Sequence, residues 1–404
     1  MTAVAAPRIG TREQALDSAR LLAARFGPGA AARDRDRRLP QAEIAELAAS
    51  GLLAITVPVE YGGTGLPPSV VAEVFRILAA ADPNIAQIPQ SHFVQANLLR
   101  IVGTTDQRRK LFSHIVDGGL LANAHAERDT TSSNLVETRI TPDGNHFRLR
   151  GTKFYCTGSL HADTLAVLAR LDAPAGGLSA GEYTVFVGSD TDGVEIIDDW
   201  DGLGQRTSGS GTVVLDDVAV AAEDVIARHA AVDAPTGFGA FSQLLHAAID
   251  TGIAAGALHS AVDCVRTLSR PWWEAGVERA VDDPLLIQRF GELSVVVASA
   301  EATLEVAGRA VDAMQLSADD PVLLAAEASV AVATAKVVSD RAANEVSSAL
   351  FEVSGTRSAA DDLNLHHFWR NARIHTLHDP VRWKYQHLGR YVLHGTPPPL
   401  SAII

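Results

Sequence analysis

Cysteine is almost missing from this chain. Cys156 and Cys264 are the only two in 404 residues, which excludes a disulfide framework and a cysteine-built zinc site and makes a reducing cytoplasm the expected setting. A surplus of positive charge is missing too. Lys and Arg total 34 against 48 Asp and Glu, a net charge of −14, so no basic surface can release counterions from phosphates and nucleic acid is excluded as a partner. No apolar run is expected to reach the roughly 20 residues that cross a bilayer; "AAIDTGIAAGALHSAV" is broken by Asp250 and His259. The first residues lack a charged start followed by an apolar run, so no export signal is expected. Thr11 to Gln14 reads instead as a capping box opening a helix. Neither standard phosphate cradle, GxxxxGK[ST] or GxGxxG between strand and helix, occurs, and there is no GxSxG elbow. With HExxH also absent, no metal is expected.

What is present is an ordinary folded composition, 47% hydrophobic and 20% charged, in a chain long enough for two or three units. Residues 1–118 form the first: "QAEIAELAASGL", "PSVVAEVFRILAAA" and "SHFVQANLLRIVG" repeat apolar residues at helical spacing, around a Gly/Pro loop, "VPVEYGGTGLPP", that is a candidate lid. Residues 119–232 change texture to short β-branched and aromatic runs such as "HFRLRGTKFYCTG", "YTVFVG" and "GTVVLDDVAV". Residues 233–404 return to long Ala-rich helices whose small side chains suit close packing in a bundle. The fold class is mainly α with a β domain between two helical ones.

The chemistry-bearing candidates are few. "RIHTLHDPVRWKY" holds His375 and His378, three apart and able to share one helix face, followed by Asp379 and a helix-stopping proline. Imidazole is suited to proton transfer near neutrality, although an isolated histidine is more often a packed or exposed residue. His92 opens a helix in "PQSHFVQANL", Thr157 ends a strand in "GTKFYCTG", and Arg270 stands beside Trp272 and Trp273 in "SRPWW", where a cation and an indole suit a phosphate and a ring. Each has a plain structural alternative as cap, sheet residue or helix terminus.

Taken in order, "AHAERDTTSS", "GTKFYCTG" and "GLGQRTSGSGTVVLDDVAV" resemble the motifs of the acyl-CoA dehydrogenase superfamily across nearly the whole chain. The resemblance implies an N-terminal helical domain, a middle β-barrel or sandwich domain and a C-terminal four-helix bundle enclosing a flavin. The carbon-acid glutamate of the dehydrogenases is not here; "RNARIHTLHDPV" takes its place, with Asp379 near that position. The doubled glycine that helps hold the adenine half of FAD is also lost, which favours FMN. "KFYCTGSLHAD", "SRPWWEAGVERAVDDPLLIQRFGEL" and "HFWRNARIHTLHDPVRWKYQHLG" are more similar to the flavin monooxygenases of this fold, the dibenzothiophene monooxygenase and SfnB-type sulfur-acquisition families.

That resemblance implies a two-component enzyme. Reduced FMN would come from a separate NAD(P)H-dependent flavin reductase, and O2 would add to the flavin C4a carbon as a hydroperoxide that oxygenates a small organosulfur compound such as a sulfone. Thr157 would face the flavin, His92 and His378 would act on protons or oxygen, and His375 and Asp379 would orient His378. Asn123 and Ala126 would meet the isoalloxazine edge, and Arg270 with Trp273 the FMN phosphate. A homotetramer, in which a neighbouring bundle completes the site, is also implied. The competing readings are an FAD-dependent acyl-CoA dehydrogenase with Asp379 as base, and a non-catalytic flavin or thioester binding protein.

Overall fold

The computed structural model describes residues 8–128, 130–132, 135–317 and 319–404. Residues 1–7 of the stretch expected to hold no export signal, and two positions of "AHAERDTTSS", Asp129 and Ser133, lie outside the described residues. Six helices come first: α1 (Arg12–Asp36), α2 (Gln41–Ala49), α3 (Pro68–Ala81), α4 (Pro83–Gln87), α5 (Gln90–Val102) and α6 (Thr105–Val116). Their starts follow local chemistry. Thr11 caps α1 by accepting from the Gln14 amide, but Gln14 returns its side chain to Gly10 N–H, so the expected reciprocal box is displaced by one residue. The complete box is at α6, between Thr104 and Gln107. Asp82 caps α4 ahead of Pro83 at the first helical position. It also receives the buried Arg33 guanidinium at 2.8 Å.

The strands are β1 (Leu121–Ala124), β2 (Arg139–Asp143), β3 (His146–Lys153), β4 (Thr164–Leu171), β5 (Gly181–Gly188), β6 (Val194–Ile197), β7 (Thr212–Ala221) and β8 (Val225–Ile226). They make one sheet in the order β6-β7-β3-β2-β4-β5-β8, with β1 added parallel to β4. Most neighbours are antiparallel, and alternation along β3 and β7 turns Phe147, Leu149, Val213 and Leu215 inward.

A short α7 (Arg228–Val232) leads to the bundle: α8 (Phe238–Thr267), α9 (Pro284–Leu316), α10 (Pro321–Ser354), α11 (His366–His375) and α12 (Arg382–His394). α8 is buried on nearly every side of its first half, packed between α3, α9 and α10. Small residues allow this. A Cβ on Gly256 would sit 2.3 Å from the Ala80 carbonyl oxygen of α3, and one on Gly252 2.5 Å from that of Arg76. α10 differs from the expectation drawn above, being long and apolar enough by length and composition to cross a bilayer. Its apolar surface is used in the bundle against α8 and α9, and it carries the fully buried Lys336.

Candidate active site

A cavity of about 480 Å³ opens where the three parts of the chain meet, lined from the helical domain by Gln87, Gln90 and Ser91, from the sheet by Asn123, Ala126, Tyr155 and Thr157, and from the bundle by His246, His375 and His378. The loop between β6 and β7 forms the seam. Gln205 N–H donates to Asn371 Oδ1 on α11 (2.7 Å), Arg370 donates to the Leu203 carbonyl (2.9 Å), and Thr207 N–H donates to Asn84 Oδ1 on α4 (3.1 Å). The approach is so close that a Cβ on Gly204 would lie 2.1 Å from the Arg370 carbonyl oxygen, which is why glycine is needed there. Two non-glycine residues of this wall, Tyr155 and Gln205, hold positive φ values of 56° and 51°, strain of the kind that clusters at binding sites.

The sheet side presents hydroxyls. Thr157 Oγ1 is 2.9 Å from Ser210 Oγ, which is 2.7 Å from Ser208 Oγ, and Ser208 donates to the Gln205 carbonyl. The bundle side presents imidazoles. His378 Nδ1 lies 3.2 Å from Asp379 Oδ1, and the other Asp379 oxygen is 3.0 Å from Lys384 Nζ. Burial pushes the Asp379 carboxyl up, but the His378 hydrogen bond and the Lys384 and Lys336 cations outweigh it, and the net shift is strongly downward. His375 is fully buried between Asp250 (2.5 Å from Nδ1) and His246 (3.1 Å from Nε2). It does not take the expected place beside His378; the ring beside His378 is that of His246, with centroids 3.9 Å apart and planes tilted by 31°. Asp250 in turn holds Lys336 Nζ at 2.6 Å.

Five of the residues singled out from sequence, Asn123, Ala126, Thr157, His375 and His378, therefore line one cavity, and Asp379 supports it through His378. Three do not. His92 is fully buried away from it: Nε2 is 2.9 Å from the Leu53 carbonyl, and Nδ1 accepts from Leu121 N–H at 3.2 Å. Burial holds it at about 4, hence neutral. Its place is that of a clamp fixing the start of β1, two residues before Asn123. His92→Ala orphans a buried carbonyl and a buried N–H and is expected to lower unfolding free energy by on the order of 2 kcal/mol or more, read as a lower urea midpoint. Arg270 and Trp273 are exposed beyond the end of α8, Trp273 to 77%, and lie outside this cavity.

Sequence reasoning missed Ser210, His246 and the partnership of Asp250. The last two carried a signal: a His and an Asp four residues apart, hence on one helix face, inside an otherwise apolar helix.

The cavity's polar atoms suit a flavin. Asn123 Oδ1, Gln87 Oε1 and both side-chain ends of Gln205 are buried at its wall without a hydrogen-bond partner among the described residues. Buried orphans of this kind call for a ligand that can hydrogen-bond along a planar edge, and an isoalloxazine has donors and acceptors on one such edge. The residues present fit.

The family models described as acyl-CoA dehydrogenase N-terminal, middle and C-terminal domains match residues 11–119, 122–218 and 244–383. Dibenzothiophene monooxygenase of Rhodococcus erythropolis is 31% identical over 97% of this chain and 96% of its own. The probable FMNH2-dependent monooxygenase SfnC of Pseudomonas putida is 30% identical over 95% and 96%. Among solved structures, FMN-bound TdsC from Paenibacillus sp. A11-2 superposes with a TM-score of 0.91 at 30% identity, covering 96% of this chain and all of that one. The chain belongs to the acyl-CoA dehydrogenase family, and it is an oxidoreductase of that fold, similar over nearly its whole length to members named as monooxygenases.

Proposed function

We propose that this protein is a reduced-FMN-dependent, two-component monooxygenase of organosulfur metabolism. One observation carries the reading: paired hydroxyls from the sheet, Thr157 and Ser210, face the same cavity as imidazoles from the bundle, with unpartnered amides beside them. Reduced FMN supplies the electrons that activate dioxygen when it is bound. The protein's own groups do the rest. Asn123, Gln205 and Ala126 would hold the polar edge of the ring, and Thr157 would hydrogen-bond to it. His378, oriented by Asp379, holds or moves a proton. Gln87, Gln90 and Ser91 give the substrate side hydrogen-bonding capacity, in keeping with a small oxygenated sulfur compound. Arg270 and Trp273, being exposed, are available to the phosphate of a cofactor in a second copy, consistent with a homotetramer. With no nicotinamide motif in the chain, a separate NAD(P)H-dependent flavin reductase is the partner.

The dehydrogenase reading is weakened by Asp379 itself. A carbon-acid base must present a free oxygen to its substrate, whereas one oxygen of Asp379 is held by His378, the other lies 3.0 Å from Lys384 Nζ, and the side chain sits behind His378 rather than on the cavity wall. The test is to titrate the pure protein with FMN, FAD and their reduced forms. Oxygen uptake and oxygenated sulfur product are then followed with a reductase supplying FMNH2. Preference for reduced FMN and product only when it is supplied are expected. Tight FAD binding, with bleaching by an acyl-CoA, would overturn the assignment.

A further inference from the structure

Three imidazoles stand at the bundle wall of the cavity, and the one that neither sequence motif nor family pattern singled out, His246, ends a buried hydrogen-bonded chain that runs back to Asp250. Asp250 is buried, with Oδ2 on Lys336 Nζ and Oδ1 on His375 Nδ1. A carboxylate only accepts, so His375 donates from Nδ1 to Asp250, and the tautomer with that single proton offers a lone pair at Nε2. In that tautomer His246 Nδ1, 3.1 Å away, is the nitrogen that donates. Its Nε2 is left as a bare lone pair with no hydrogen-bond partner among the described residues, on a ring that lines the cavity.

We propose that His246 is a proton acceptor of the active site, and that His375 and Asp250 are positioning residues that fix its tautomer and share the proton it takes. The proposal rests on the monooxygenase reading for what the proton comes from, but not for the state of the imidazoles. In the step, a donor X–H in the cavity loses its proton to His246 Nε2 and the electron pair stays on X. The His246 Nδ1 proton passes to His375 Nε2, leaving His375 as an imidazolium against the Asp250 carboxylate. One N–H bond forms at each ring and one breaks at His246, with no oxidant or reductant consumed. Were the chain only a means of satisfying Asp250, Lys336 and His375 would suffice; instead it continues one ring further and ends at the cavity.

The charged and titratable groups around His246 are Asp250 on its own helix, Lys336 and Asp340 on α10, His375 on α11, His378 and Asp379 in the following turn, and Lys384 on α12 behind Asp379. Burial, then His378, His375 and Lys336, hold the His246 pKa well below the ordinary imidazole value, with Asp379 opposing. The ring is bare at neutral pH, and activity should fall only as pH drops far enough to protonate it.

The test begins with the intact protein free of flavin, labelled with ¹⁵N-histidine. NMR is expected to show His246 protonated at Nδ1 and unprotonated at Nε2, with a far-downfield His375 Nδ1 proton, the signals assigned by comparison with His246→Phe. With FMNH2 supplied, His246→Phe is expected to lose the acid limb of the kcat profile and to lower kcat roughly 100-fold, with KM little changed. Asp250→Asn/Lys336→Met, which leaves no lone buried charge, frees the His375 tautomer and is expected to lower kcat roughly 10-fold or more. Protonation of His246 at Nε2 in the unmodified protein overturns the proposal, even if the variants do not fold. So does a folded His246→Phe protein that keeps the acid limb and a kcat within about twofold. Failure of the protein to bind reduced FMN or use oxygen sinks the functional reading alone, since the tautomer is read without flavin.

Discussion

Lys336→Met is expected to lower the unfolding free energy by about 3–5 kcal/mol, because it strands the Asp250 carboxylate in the bundle interior. Both side chains are fully buried and 2.6 Å apart. Burial pushes the Lys336 pKa down, but Asp250, Asp379 and Asp340 outweigh it and the net shift is upward; for Asp250, burial pushes up while Lys336 and His375 pull the net shift downward. Each charge is thus kept by the other. Removing both, as Lys336→Met/Asp250→Leu, should cost far less than either single change, since a well-packed apolar pair is often as stable as a buried ion pair. Urea unfolding of the four proteins gives the coupling directly. A Lys336→Met variant within about 1 kcal/mol of the parent would mean that the pair is not formed as described.

The second large effect is on rate. His378→Ala removes the imidazole held by Asp379 at the cavity wall and is expected to reduce product formation roughly 100- to 10,000-fold with FMNH2 supplied. Oxygen uptake should continue, released as hydrogen peroxide rather than coupled to product. The His378 side chain is 39% exposed whereas Asp379 is 3% exposed, so the deletion opens space toward solvent and should leave the fold intact. Product yield per oxygen consumed is the measurement, and an unchanged yield would remove His378 from the chemistry.

The order of helical, β and helical blocks was legible because each type of element has its own apolar period: three and four in α3 and α5, alternation in β3 and β7. That Thr157 and His378, more than two hundred positions apart, share a cavity was legible only through the order of motifs that the chain shares with its family; spacing carries no such information. His92 shows the limit. Gln90 and Ser91 line the cavity, and each further residue on a helix turns about 100°, so His92 points into the core; nothing in "PQSHF" says which of the three faces in. His246 and Asp250 were hidden for a different reason. α8 is buried on most of its circumference, and a helix with apolar residues all round has no polar stripe to mark a functional face. Arg270 and Trp273 have the right chemistry for a phosphate, but they extend past the end of α8, exposed and outside the cavity.

The short loop from Gly202 to Gly211 gives the molecule a particular vulnerability. It is tied to α4 at Thr207 and to α11 at Leu203 and Gln205, so the walls that carry the hydroxyls and the imidazoles are held in register by a handful of backbone groups. Competence here is a property of docking: a chain whose three parts fold correctly but fail to meet at this hinge would keep every helix and strand and possess no reaction chamber at all.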